Sequence, residues 1–244
     1  MEILGVEEYI NEKLNIQPIT KTRLGGILYK HKFFPTSKKE LQEILANLIY
    51  ENDYDWNKID TSKITDMSEL FRDFLHLGDI TYWDVSNVEN MEGMFHMCNG
   101  FDTSWDKSGL RLGDISKWNV SKVKNMKFMF AEANGLKADI TKWDVSSVED
   151  MSYMFYNTDF NQNISKWNVS RVRDMSCMFR NTREFDADIS DWAVGNVERM
   201  NYMFYEAIGF SKDLSNWYAP KATHYKMFDG NLLEHDIEKH PRFN

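Results

Sequence analysis

The sequence predicts an α/β repeat fold in which about seven strand–helix units stack into a curved array behind an N-terminal helical cap. Three observations lead to this prediction. A motif of 13 residues recurs about every 25 residues, the hydrophobic period changes within each copy, and an amphipathic stripe precedes the first copy. Fixed-period self-similarity is the signature of a repeat architecture.

The repeated motif is best seen in WNVSKVKNMKFMF and WDVSSVEDMSYMF, which each begin at a tryptophan and end at a phenylalanine. Full copies occupy residues 83–95, 118–130, 143–155, 167–179 and 192–204. A variant at 59–71 has Ile59 in place of tryptophan, and another at 217–228 is one residue shorter. Successive tryptophans are 35, 25, 24, 25 and 25 residues apart, so one interval contains an insertion of ten residues.

The start of each unit predicts a short strand. In the copy at 167–179, Trp167 and Val169 alternate with polar Lys166, Asn168 and Ser170. This period of two is typical of a half-buried strand and directs the tryptophan inward. We therefore expect the six repeat tryptophans to form an interior ladder and not a stacking platform for sugars or bases.

The rest of each unit predicts a helix. Val172, Met175, Met178, Phe179 and Thr182 are spaced 0, 3, 6, 7 and 10, which is one stripe of a helix. A serine stands where the helix needs an N-cap in four copies, and Glu89 and Glu149 complete two capping boxes. These N-cap serines are Ser86, Ser121, Ser146 and Ser170.

The spacing of the two element types predicts the curvature. Paired strands are about 4.8 Å apart whereas packed helices need about 8–10 Å, so the strands would lie on a concave inner face. The chain then divides into an N-terminal helical cap region (1–55), the repeat array (56–228, with an insertion loop at 99–113) and a C-terminal cap or tail (229–244). The cap helix is predicted after Ser37, from the stripe of Leu41, Ile44, Leu45, Leu48 and Ile49.

The phrase W-[DN]-V-S-x-V-x-x-M-x-x-M-F resembles the methionine-rich branch of the BspA-type leucine-rich repeats, a domain of unknown function in mycoplasma and other bacterial surface proteins. The likeness covers residues 59–228. It implies a leucine-rich-repeat-like solenoid that binds other molecules without catalysis. Many such relatives are exported and adhesin-like, and this sequence departs from them because its first residues carry Glu2, Glu7 and Glu8 and no apolar signal segment.

The composition indicates the cellular location and the classes of partner that the protein can bind. The net charge of −9 disfavours nucleic acid and anionic membranes, which reward basic surfaces. The basic residues Lys166, Arg171, Arg173, Arg180 and Arg183 cluster locally, but acidic residues alternate with them. No apolar run is long enough to span a bilayer, and two cysteines do not make a disulfide framework. We therefore expect a cytoplasmic protein.

The candidate partner-binding residues flank the tryptophans, where side chains are expected to leave the core on one common surface. The alternative is that the Asp and Asn residues among them only stabilise local turns through backbone hydrogen bonds. The flanking candidates are Tyr82, Asp84, Lys117, Asn119, Lys142, Asp144, Lys166 and Asn168.

The insertion loop supplies two further candidates, Trp105 and Arg111, because Trp and Arg are favoured interface anchors. Trp105 lies outside the repeat register, so the pattern gives it no core role. The alternative is a tolerated surface loop with Trp105 packed against its own chain.

No arrangement of residues predicts an active site, a cofactor site or a metal site. The six histidines have no chelating or activating spacing, and no phosphate-binding loop or nucleophile elbow occurs. The sequence therefore predicts a non-enzymatic scaffold that binds a protein partner through its concave face, its insertion loop or both. The alternative is a structural or surface component, such as a virion part or an adhesin-like protein, that self-associates.

Overall fold

The computed structural model describes residues 20–24, 27–74, 77–98, 113–133, 135–136 and 138–243. Two strands, β1 (Thr20–Leu24) and β2 (Ile27–His31), form an antiparallel hairpin in which Thr20 pairs with His31. One α-helix follows, α1 (Lys38–Tyr50). Two short 3-10 turns lie at Trp56–Lys58 and Ile237–Lys239.

Helix α1 forms where the sequence predicts a helix. The side chain of Ser37 accepts a hydrogen bond from the Glu40 amide at 3.3 Å, and the Thr36 amide donates to the Glu40 carboxylate at 2.6 Å. Leu41, Ile44, Leu45 and Leu48 of this helix are buried. Lys38 donates to the Ser68 hydroxyl at 2.7 Å, which ties α1 to the first repeat unit.

The repeat units contain neither a regular strand nor an α-helix in the described part of the chain, so the predicted strand–helix solenoid is wrong. Each unit is instead a run of tight turns. Neighbouring units are joined in parallel by a single β-bridge, from Asp66 with Asn90 through to Arg199 with Thr223. The units therefore follow one another in register without forming a sheet.

Alternate residues in the methionine-rich half of each unit use their backbone groups differently. In the fourth unit, the amides of Met151, Tyr153, Phe155 and Asn157 donate to carbonyls of the fifth unit at 2.9–3.0 Å. The intervening amides of Met154 and Tyr156 donate back within their own unit, three residues earlier, at 3.1–3.2 Å. Since buried backbone groups must be paired, this alternation replaces the ladder of a strand or helix.

Positive φ angles explain why this half is not helical. In each of the first six units, the second residue after the first methionine of the motif adopts a left-handed backbone conformation, as Tyr153 (φ 60°) does after Met151. The residue four positions further along, such as Asn157 (φ 53°), is also left-handed. A left-handed non-glycine residue costs about 1–2 kcal/mol and interrupts a right-handed helix. Buried apolar residues spaced three and four positions apart therefore do not require a helix, because a succession of tight turns buries the same residues.

Two details of the sequence-based prediction change with the fold. The serines predicted to cap helices do not do so, because their amides donate to the Asp or Asn two residues earlier, as Ser146 does to Asp144 at 3.1 Å. The predicted concave strand face is also wrong, because its curvature depended on strands packed opposite helices. The inward direction of the apolar residues does not depend on either element.

The core consists of rows of identical residues taken from successive units. Tryptophans, valines, methionines and phenylalanines of the motif are buried, and the repeat tryptophans are 1–5% exposed. The prediction of an interior tryptophan ladder is thus confirmed, with Trp118 stacked on Trp143 at 6.5 Å. A second row, running from Phe71 to Phe228, stacks ring upon ring with centroids 5.5–5.9 Å apart.

Each repeat tryptophan also binds the preceding unit. Trp143 Nε1 donates to the Ile115 carbonyl at 3.1 Å, and Trp192 Nε1 donates to the Ile164 carbonyl at 3.2 Å. The same isoleucine carbonyls accept the backbone amide of the tryptophan three residues later, as Ile115 does from Trp118. A buried indole N–H needs such a partner, so the isoleucine and the tryptophan of adjacent units are matched in position.

The two ends of the array are covered differently. Helix α1 packs on the first unit, and the segment after residue 228 folds along the last one. There, the Leu214 amide donates to the Lys239 carbonyl at 2.9 Å and the Arg242 amide donates to the Trp217 carbonyl at 2.8 Å. The rings of Phe228 and His240 lie 4.4 Å apart.

Candidate functional site

The candidate residues beside the tryptophans lie on the surface in rows. Lys117, Lys142 and Lys166 form a lysine row in three consecutive units, one residue before each tryptophan, and all three are exposed. Tyr82 and Asp84 in the second unit are half-buried. Trp105 and Arg111 lie outside the described residues.

The Asp and Asn candidates have a local structural role. Asp84 accepts the Ser86 amide at 2.9 Å, Asn119 accepts the Ser121 amide at 3.2 Å, and Asn168 accepts the Ser170 amide at 3.1 Å. These Asx turns hold the chain where it leaves the tryptophan. Each of these hydrogen bonds uses one side-chain oxygen of the Asp or Asn residue. The role of these residues in binding a partner stays a prediction.

A shallow depression separates two members of the lysine row. Its volume is about 520 Å³, and Lys142 and Lys166 line it together with Thr141, Asn163 and Ser165. The first two lysines have an acidic neighbour three residues earlier, Asp114 or Asp139, whereas Asn163 occupies that position before Lys166. The lysine row is therefore least neutralised around Lys166.

A second surface feature was not predicted from the sequence. It is a tyrosine–arginine band made of the aromatic and arginine residues that lie ten or thirteen positions after the tryptophans in the third to sixth units, together with Tyr225. Its members are Phe128, Tyr153, Tyr156, Arg180, Tyr202, Tyr205 and Tyr225.

The rings of this band contact one another both within units and across unit boundaries. Phe128 stacks on Tyr153 at 4.5 Å, and Tyr153 meets Tyr156 edge to face at 5.8 Å. Further along the array, Tyr202 meets Tyr205 at 5.7 Å and Tyr225 at 5.4 Å. All but Tyr225 are half-buried, so they hold fixed positions while keeping part of each ring in solvent.

Arg180 lies at the centre of the band. Its guanidinium carbon is 5.9 Å from the ring centroid of Tyr156, 5.4 Å from that of Tyr202 and 4.9 Å from that of Tyr205. Its Nε is buried and has no hydrogen-bond partner in the described part of the protein. Cation–π contacts of about 0.5–2 kcal/mol each therefore hold a positive charge among aromatic rings.

Tyr153 is kept neutral by its surroundings. A hydrogen bond with the Cys177 thiol, followed by burial, raises the pKa of Tyr153 to about 12. Its phenol therefore stays protonated at physiological pH. Cys177 and Cys98 are both buried, and no disulfide bond joins them to another described residue.

The basic cluster noted in the sequence is divided between different roles. Arg173 pairs with Glu198 at 2.9 Å, in a row that also holds Glu89 and Lys124 at 2.7 Å. Arg180 is enclosed by the tyrosine–arginine band. Neighbouring units thus place opposite charges side by side, and the arginines do not form one continuous cationic patch.

The described residues hold no group of three His, Cys, Asp or Glu side chains arranged to bind a metal ion. Among the described residues, none of the helices is both long and apolar enough to cross a bilayer.

The repeat array matches a known protein family. Residues 39–156 and 138–240 match the family described as "Mycoplasma protein of unknown function, DUF285". The chain belongs to this family. No curated protein and no solved structure matches the chain. The DUF285 match agrees with the resemblance to a mycoplasma-type repeat of unknown function, whereas the narrower BspA-type assignment stays a prediction.

The sequence of this DUF285 protein contains a signal for the tyrosine–arginine band. Aromatic residues recur at two motif positions that lie outside the buried pattern, as with Tyr153 and Tyr156 or Tyr202 and Tyr205. Solvent-facing aromatic residues at a repeated position are a binding signal. These residues were not predicted, because the candidate binding residues were confined to the positions beside the tryptophans and to the insertion loop.

Proposed function

We propose that this protein is a non-enzymatic binding module and that the tyrosine–arginine band is its contact surface for a protein partner. The observation that carries the proposal is the position of Arg180 among three tyrosine rings, with a buried Nε that lacks an acceptor. Tyr and Arg are the residue types that dominate interface energetics. Rings already fixed by stacking lose little conformational freedom on binding, which favours affinity.

The net charge of −9 suits a partner that is basic or amphipathic outside the contact itself. Paired arginines and an acidic whole argue against nucleic acid as that partner. Two buried cysteines without a disulfide bond among the described residues support a reducing, cytoplasmic setting. The lysine row remains a second candidate surface, suited to an acidic partner.

The test is quantitative capture of partners from a lysate of the source cells by the purified protein and its variants. We expect Arg180→Ala and Tyr205→Ala to lose a partner that the parent retains. Tyr50→Ala is the matched control, because Tyr50 is an 88% exposed tyrosine on α1 outside the band. Thermal melting of each variant separates loss of binding from loss of folding.

Other results of the capture experiment would support the lysine row or self-association instead. A partner lost only from Lys142→Glu and Lys166→Glu would move the contact surface to the lysine row. Recovery of the protein alone, with a defined oligomer in sedimentation velocity, would replace the proposal with the self-associating structural role.

A further inference from the structure

The last repeat unit ends in a row of backbone donors. In the sixth unit, the amides of Met200, Tyr202, Phe204 and Glu206 donate to carbonyls of the seventh unit at 2.7–2.9 Å. The equivalent amides of the seventh unit belong to His224, Lys226, Phe228 and Gly230. We call the first three the donor row, because none has an acceptor within the described residues.

The fourth amide indicates which kind of acceptor the donor row binds. The Gly230 amide donates to the carboxylate of Glu234 at 3.0 Å, where a carbonyl oxygen of a following unit would otherwise lie. A carboxylate oxygen therefore replaces a peptide oxygen at this edge. Oriented backbone amides in turns form concavities that bind anions, and Lys226 (φ 50°) and Gly230 (φ 74°) place left-handed turns at this edge.

A cavity of about 320 Å³ lies at the donor row. His224, Lys226 and Phe228 line it together with Glu234, His240 and Phe243. Phe243 stacks on His224 at 3.8 Å and His240 packs on Phe228 at 4.4 Å, so aromatic rings bound the space. The Lys226 ammonium lies at the same edge, where it is paired with the Asp229 carboxylate at 3.4 Å, and both side chains line the cavity.

We propose that this cavity binds a carboxylate-bearing ligand, whose oxygens accept hydrogen bonds from the Lys226 and Phe228 amides. A second copy of the chain is a less suitable partner for the donor row. Its first unit would have to offer carbonyls at an edge where α1 already packs, with Lys38 bound to Ser68. The donor row is made of residues outside the tyrosine–arginine band, so the site stands independently of the proposed function.

The test is a titration of the ¹⁵N-labelled protein with acetate, followed by amide chemical shifts at constant ionic strength. We expect saturable shifts at the amides of Lys226 and Phe228. The amides of Tyr202 and Phe204 are internal controls, because they hold the same motif positions one unit earlier and are hydrogen-bonded. Equal or non-saturating shifts at both pairs would overturn the site.

Parallel titrations with inorganic phosphate and with chloride test the ligand class. Saturation by phosphate but not by acetate would overturn the carboxylate assignment, and equal effects of chloride would reduce the site to nonspecific anion screening. Saturation by acetate, with or without phosphate, supports the proposal.

Two variants identify the donors. Glu234→Ala releases the Gly230 amide, so acetate should bind about threefold tighter or more and shift that amide as well. Lys226→Asn removes the charge but keeps a residue that tolerates a left-handed backbone. It should weaken acetate binding without abolishing the shift at Phe228, whereas complete loss would show that the ammonium alone binds the anion. An unchanged acetate affinity in Glu234→Ala would contradict the inference that the Gly230 amide and the donor row bind the same ligand.

Discussion

The interior rows and the surface rows of this protein obey different rules. Inside, the same residue recurs in unit after unit, as the phenylalanine row from Phe71 to Phe228 does with centroids 5.5–5.9 Å apart. On the surface, the position thirteen residues after the tryptophan holds His96, Tyr156, Arg180 and Tyr205, and a buried Ala131 takes this position in the third unit. The difference teaches that stability is set by repetition and binding by departures from it, since only the surface can vary without disturbing a neighbouring unit.

The largest effect should come from breaking an interior row. Trp143 is 4% exposed, stacks on Trp118 at 6.5 Å and bonds the Ile115 carbonyl. Trp143→Ala should lower the free energy of unfolding by about 3–5 kcal/mol, measured by chemical denaturation. Tyr218→Ala is the control, because Tyr218 follows a tryptophan but is 59% exposed. Equal losses from the two variants would remove the distinction between interior and surface rows.

A smaller effect should come from the backbone of a surface position. Asn157 is exposed and left-handed, with φ of 53°. Asn157→Val should cost about 1–2 kcal/mol, whereas Asn157→Gly should be neutral or slightly stabilising, because a β-branched residue resists this conformation. In a helix the order would reverse, with glycine the worse residue. Denaturation of the two variants would therefore discriminate between turns and a helix in this half of the unit.

The smallest effect should come from the acidic turn residues on the surface. Hydrogen bonds from the Ser190 hydroxyl and amide lower the pKa of Asp188, and bonds from Ser116 do the same for Asp114. A carboxylate with a lowered pKa stabilises the fold above its unfolded value of about 3.9 and loses this contribution as the pH falls through the folded pKa. The melting temperature should therefore decrease as the pH is lowered from about 5 to below 3.

Asp188→Asn is the matched variant for this pH dependence. The chain already carries Asn163 at the equivalent position, where it accepts the Ser165 amide at 3.1 Å. The variant should keep the turn and show a shallower decrease in melting temperature with acid. A decrease as steep as that of the parent would assign the acid sensitivity to other carboxylates.

The sequence predicted which residues are buried more reliably than which elements they form. Trp118 and Val120 are buried and Lys117 and Asn119 are exposed, as their alternation predicts. The same pattern does not reveal that the Trp118 amide bonds the Ile115 carbonyl in a turn, because alternation fixes the direction of side chains and not the partners of backbone groups. Helix α1 was predictable because its cap and its stripe are both local.

The surface site was less predictable for a related reason. The lysine row follows directly from the motif spacing, since the spacing of about 25 residues brings equivalent positions together. The clustering of Tyr156, Tyr202 and Tyr205 around Arg180 also requires the register between neighbouring units and the left-handed conformation at Tyr202. Neither can be read from a helical interpretation of the same residues.

The alternating backbone pattern also makes the array electrically polar. In each of the first six units four amides point towards the following unit, and the carbonyls that precede them point back. This set outnumbers the two amides that point the other way in each of the second to sixth units, such as those of Glu149 and Asp150. The peptide dipoles therefore add along the array instead of cancelling as they do in a β-sheet. The resulting field is positive at the seventh unit, as at a helix N-terminus. An acidic ligand approaching this protein would thus be attracted to one end of the molecule despite its overall negative charge.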